Sequence, residues 1–96
     1  MAGYLIAHLS VEDAQAFEKY RAAVPSVIAQ FGGRYLVRGG KVEVVEGEWS
    51  VPRLVILAFD SLEQAKRFYD SPEYQAILPL RLAASKGTVV LAEGVT

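Results

Sequence analysis

Residues 53–68 read "RLVILAFDSLEQAKRF". After Arg53 the next six residues are wholly apolar and rich in branched side chains. That pattern describes a strand covered on both faces, since a half-wet strand would alternate apolar with polar. Asp60 ends the run. Ser61 with Gln64 three residues on has the spacing of a capping box, and Leu62, Ala65 and Phe68 then recur at helical intervals. The same order stands at residues 4–17, "YLIAHLSVEDAQAF". The two helix starts, "SVEDAQAF" and "SLEQAKRF", align without a gap: Ser, Glu, Ala and Phe match, and Val pairs with Leu. The chain thus carries strand-then-helix twice.

Each helix is followed by another strand candidate, "RYLVRGGKVEVVEG" (34–47) after the first and "TVVLAE" (88–93) after the second. Ser10 is placed to cap the first helix, with Asp13 in its first turn where an acid suits the helix dipole. Apolar positions continue from Ala14 to Phe31. Pro25 predicts a kink or short break, and Gly32-Gly33 predicts the end. The second helix reaches about Asp70 and restarts at "SPEY", with Ser71 as cap and Pro72 at the first helical position. It should bend at Pro79 and close at Gly87. The expected fold is α+β and ferredoxin-like: a βαββαβ order, one antiparallel sheet of four strands, both helices on one face, a single domain over residues 1–96.

Helices on one face leave the other open, yet no strand alternates. "YLIAHL" puts Tyr4, Ile6 and His8 on one side and Leu5, Ala7 and Leu9 on the other. Counting the eight glycines in place of the five tyrosines raises the apolar share to about 55%, above the usual about 45–50%. A second copy is the expected cover, giving a homodimer, a dimeric α+β barrel, with a small-molecule cavity between the two sheets.

Ten basic and eleven acidic residues nearly cancel, which gives no electrostatic case for nucleic acid or an anionic membrane. With no cysteine and one histidine, no metal site and no cofactor are expected. No positive region precedes the first apolar run, so no signal peptide is expected, and no apolar stretch approaches the roughly 20 residues of a membrane span. A cytoplasmic location is the expectation.

The blocks "GYLIAHL", "YRAAVPSVIAQFGGRYLVRGG", "EVVEGEW", "PRLVILAFDS" and "YDSPEYQAI" resemble the bacterial family known as domain of unknown function 1330 over nearly the whole chain. The resemblance implies a ferredoxin-like fold of the dimeric α+β barrel class and no settled activity. Ala58 stands where many members carry an acid, which puts any role of that acid in doubt here.

His8, in the middle of the sheet, is the candidate general base or ligand contact. Its plainer reading is a histidine hydrogen-bonded in the core. Arg34 and Arg38, four apart on one strand, should share a face and could clamp a carboxylate or phosphate. Alternatively they meet solvent on an edge strand or pair with Glu43, Glu46 or Asp70. Trp49 is a lid over a pocket or a contact to the partner. Tyr4, Tyr35 and Tyr74 line a cavity or pack in the core. Gly39-Gly40 is a bulge in one long strand or a hairpin turn; the bulge is preferred. The functional expectation is a homodimer binding a small organic molecule, acidic ones included, between the sheets. One alternative is a cofactor-free isomerase or monooxygenase-like enzyme using His8 with Arg38. Another is a structural dimer module without ligand.

Overall fold

A computed structural model describes residues 1–50 and 53–95. The elements run β1 (Gly3–Val11), α1 (Ala14–Gln30), β2 (Arg34–Arg38), β3 (Arg53–Phe59), α2 (Leu62–Asp70), α3 (Pro72–Ala84) and β4 (Ser85–Glu93). The sheet order is β2-β3-β1-β4, and all three pairings are antiparallel. This is the ferredoxin-like arrangement with its second helix in two pieces. The core lies on the helix face. Leu5, Ala7 and Leu9 of β1 meet Phe17, Val24 and Ile28 of α1, while Phe59 and Phe68 are almost wholly enclosed.

The helix ends carry most of the local corrections. Asp13, not Ser10, caps α1: its carboxylate accepts the Ala16 amide at 3.0 Å. Ser10 is unavailable because β1 continues through it, paired with Lys86. The helix then runs unbroken through Pro25. The proline costs one amide donor, and the apolar stripe on either side holds the turn in place. Gly32-Gly33 does end α1. The Gly32 amide donates to Ala29 O at 3.0 Å and the Gly33 amide to Ile28 O at 2.9 Å, with Gly32 at φ 75°, which completes a Schellman motif.

Ser61 Oγ accepts the Gln64 amide at 3.1 Å, as the capping box requires. The reciprocal half is absent: Gln64 Nε2 donates to Phe31 O at 2.6 Å and ties α2 to the end of α1. Ser71 caps α3 by accepting the Tyr74 amide at 3.1 Å and donates its own proton to Phe68 O at 2.7 Å. α3 continues through Pro79 to Ala84. Gly87 does not close it. β4 begins at Ser85, and Gly87 sits inside the strand opposite Leu9. A Cβ at that position would fall 2.1 Å from His8 O, so the strands approach too closely for any side chain.

β2 is an edge strand but a short one. It stops at Arg38, and residues 39–50 carry neither the long strand nor the hairpin expected around Gly39-Gly40. The bulge lies earlier. Arg34 pairs with Ala58 and Tyr35 with Leu57, then the register slips so that Val37 faces Ile56 and Arg38 faces Val55. The extra residue is Leu36.

Gly87→Val is expected to destabilise the protein by about 1–3 kcal/mol, the usual range for overpacking, because the clash is with backbone. Urea unfolding followed by circular dichroism measures it; a midpoint equal to the parent's would mean that β1 and β4 tolerate separation.

Candidate functional site

A cavity of about 40 Å³ lies between the sheet and the helices. Its sheet wall comes from alternate residues of one face: Leu5, Ala7 and Leu9 of β1 with Val55 and Leu57 of β3. Its helix wall comes from one stripe of α1, Phe17, Tyr20, Val24 and Ile28, closed by Phe68 and Tyr74. These are the positions that two- and 3.6-residue periods direct inward.

Four arginines interrupt this apolar lining: Arg21 of α1, Arg38 of β2, Arg53 of β3 and Arg81 of α3. Arg21 and Arg38 form the exposed rim. Arg21 pairs with Glu18 at 2.9 Å. Arg38 lies over the Tyr35 ring at 4.4 Å, and Arg53 faces the Phe17 ring at 5.4 Å. Burial lowers the Arg53 pKa, and the nearby charges of Arg21 and Arg38 lower it further. Arg81 is the deepest, only 6% exposed, with no ion pair among the described residues. The buried Nε atoms of Arg53 and Arg81 have no hydrogen-bond partner there. An enclosed charge without a partner is expensive, so the arrangement favours an anion in the cavity.

The Tyr20 and Tyr74 hydroxyls meet at 2.9 Å. Burial, with Tyr74 beside it, pushes the Tyr20 phenol far above its ordinary value and keeps it protonated. Burial also raises the Tyr35 phenol, against the pull of Arg38 and Arg53. In the hydroxyl pair one proton is shared and the other is left for a ligand. No aspartate, glutamate or histidine lines the cavity among the described residues, and none of these residue types clusters there to hold a metal ion.

Tyr35, Arg38 and Tyr74 line this cavity. Tyr4, His8, Arg34 and Trp49 belong to the opposite face. The bulge at Leu36 is the reason the two arginines part: Arg34 points with Ala58 to the open face, Arg38 with Val55 to the helix face. The expected shared-face clamp is therefore not formed, and His8 and Arg38 do not meet across one ligand. His8 lies between Leu54 and Thr88 in register and packs edge-on against Trp49, ring centroids 5.9 Å apart. Glu43, a suggested partner for the arginines, pairs with Lys41 at 3.0 Å.

Tyr20, Arg21, Arg53 and Arg81 went unmarked in the sequence. The signal was phase. Arg53 is in step with Val55 and Leu57, and Arg81 is in step with Tyr74 and Leu78, so both charges fall on core-facing positions.

The family described as "Domain of unknown function (DUF1330)" matches residues 2–95. Solved structures share the architecture at low identity. A protein of unknown function from Rhodopseudomonas palustris matches with a TM-score of 0.79 and 14% identity over 99% of this chain and 83% of that one. SnoaB, a cofactor-independent oxygenase from Streptomyces nogalater, matches at 0.63 and 14% over 99% and 94%. A dimeric ferredoxin-like protein of unknown function from Thermobifida fusca matches at 0.65 and 14% over 98% and 92%. At these identities the likeness carries the fold. No protein with a curated description matches the sequence.

Tyr20→Phe tests the hydroxyl pair. The Tyr20 pKa is raised on folding from 10.0, so above pH 10 the unfolded chain loses a proton that the folded one keeps, and stability falls as pH rises. The variant should lose about 1 kcal/mol at pH 8. It should also show a shallower decline above pH 10, by one proton, in urea titrations at stepped pH.

Proposed function

The chain belongs to the DUF1330 family, and on that premise we propose that it binds a small organic anion in the cavity between its sheet and helices. The carrying observation is Arg81, buried at 6% exposure with an unpartnered Nε, facing the same apolar cavity as the unpartnered Nε of Arg53. Two guanidinium groups from β3 and α3 suit one carboxylate or comparable oxyanion. At about 40 Å³ the space takes a small anion or the anionic head of a larger one, and the Arg21–Arg38 rim is the entry. This moves the ligand from between two sheets to within one protomer.

The assembly is a separate part of the reading. Ile6, Ile56 and Val90 lie on the face away from the helices, with Val90 47% exposed. A second copy packed sheet to sheet would cover them with like surface. On this reading Trp49 and His8 serve the assembly, and the ligand site stands apart from it.

Calorimetric titration with formate and with neutral formamide tests the anion site. Formate should bind and formamide should not, and Arg53→Gln should weaken formate about 10- to 100-fold, the worth of a charge-assisted hydrogen bond. Equal binding of both probes would remove the basis for an anion site. For the assembly, light scattering at micromolar concentration should give twice the monomer mass, and Val90→Glu should give the monomer mass with unchanged circular dichroism. A monomeric parent protein would refute the sheet-to-sheet pairing.

A further inference from the structure

Resting on the anion-site reading above, we propose that the anion is a phosphate group, free or as the head of a small monoester, held as its dianion by Arg38, Arg53 and Arg81. The first argument is charge. These arginines come from β2, β3 and α3, and all three border the cavity. Among the described residues none of them has an acid within ion-pair distance. Arg21, the fourth, is already answered by Glu18. A carboxylate would answer one of the three remaining charges, and a phosphate dianion answers two.

The second argument is crowding. Arg38 faces Val55 across the β2–β3 ladder, and Arg53 stands two residues from Val55 on the same face, so the two arginines are diagonal neighbours. Gly39 keeps room for the Arg53 guanidinium beside the β2 backbone: a Cβ there would strike Arg53 Nη1, and the glycine itself has φ 68°. Burial lowers the Arg53 pKa, and the charges of Arg21 and Arg38 lower it further. Like charges gathered this closely repel until an anion sits among them. A dianion relieves more of that repulsion than a monoanion does.

The third argument is shape. A phosphate presents oxygens in four directions from one centre, whereas the two oxygens of a carboxylate lie in one plane. Arg38 and Arg53 reach the cavity from the sheet and Arg81 reaches it from α3, so the donors converge from different sides. The Tyr20–Tyr74 pair, its hydroxyls 2.9 Å apart, has one further proton to donate. Burial keeps Tyr20 and Tyr35 protonated, so neither sets a negative charge beside the ion. One water needs about 10–15 Å³ of such space, so a cavity of about 40 Å³ admits roughly three water-sized atoms. Three phosphate oxygens fill it, with the fourth turned to the Arg21–Arg38 rim. Both rim residues are exposed, which limits the cost of desolvating two charges and gives the ester group of a monoester its way out.

Calorimetric titration with inorganic phosphate, methyl phosphate and formate tests the proposal. At pH 8 phosphate should bind about tenfold or more tighter than formate. Methyl phosphate binding as well as the free ion identifies a monoester head, and binding of inorganic phosphate alone identifies the free ion; either result supports the phosphate site. From pH 5 to pH 8 the affinity for the phosphate that binds should rise about tenfold, because a phosphate monoester loses its second proton near about pH 6. Formate should stay level over that range. The guanidinium groups keep their charge, Tyr20 and Tyr35 stay neutral, and among the described residues no histidine or carboxylate borders the space. Arg38→Gln, on the exposed rim where folding is not at stake, should weaken phosphate about tenfold at pH 8 and leave formate nearly unchanged, with the parent's circular dichroism. If formate binds and neither phosphate binds more tightly, or if phosphate affinity does not rise with pH, the phosphate proposal is overturned and the anion site stands. If none of the three binds, the anion site falls and the phosphate proposal falls with it.

Discussion

The central strand β1 sets the terms for everything around it. It pairs with β3 from Gly3 to Leu9 and with β4 along its whole length, and both of its faces are mainly apolar. Its backbone is satisfied by the two ladders, so its side chains alone decide what must be covered. Leu5, Ala7 and Leu9 draw the helices onto one face. Once they do, α1 and α3 have to span the sheet without a polar layer between them, and any charge on their inner stripe is enclosed. The arginine-lined cavity is a product of that geometry. Arg81 lies two turns beyond Tyr74 on the inner side of α3 and is only 6% exposed.

The architecture was legible in the sequence because several independent signals agreed. Length of run, capping chemistry and the strand-helix echo at 4–17 and 53–68 all led to the same order of elements. Where the reading went astray, a tertiary contact had replaced a local one. Ser10 is a good cap by type, but β4 recruits it into the sheet and leaves the role to Asp13. Gly87 has the composition of a helix terminator, yet its purpose is to let β4 approach the His8 carbonyl. Gln64 reaches across to Phe31, not back to its own helix start.

The site was harder to read, and the reasons are physical. Tyr35, Arg38 and Tyr74 were visible as candidates because aromatic and cationic residues in apolar runs attract notice. Arg53 and Arg81 were overlooked although their phase placed them on core-facing positions. An arginine in step with Val55 and Leu57 is more informative than one that merely lies near glycines. The histidine drew attention by residue type and turned out to belong to the other side of the sheet, beneath Trp49. Chemistry-bearing residues are best judged by the face they share, and that face is fixed by pairing register.

Register is where Leu36 matters. One unpaired residue in β2 sends Arg34 and Arg38 to opposite sides, although four-residue spacing would keep them together in a regular strand. The strand therefore behaves as a parity counter. Adding or removing one residue before Arg38 would transfer its charge from the cavity side of the sheet to the other face. Relatives that place an arginine in the same alignment column need not place it in the same compartment. Two chains of this family that differ by a single-residue indel in this edge strand would differ in how many charges face the cavity.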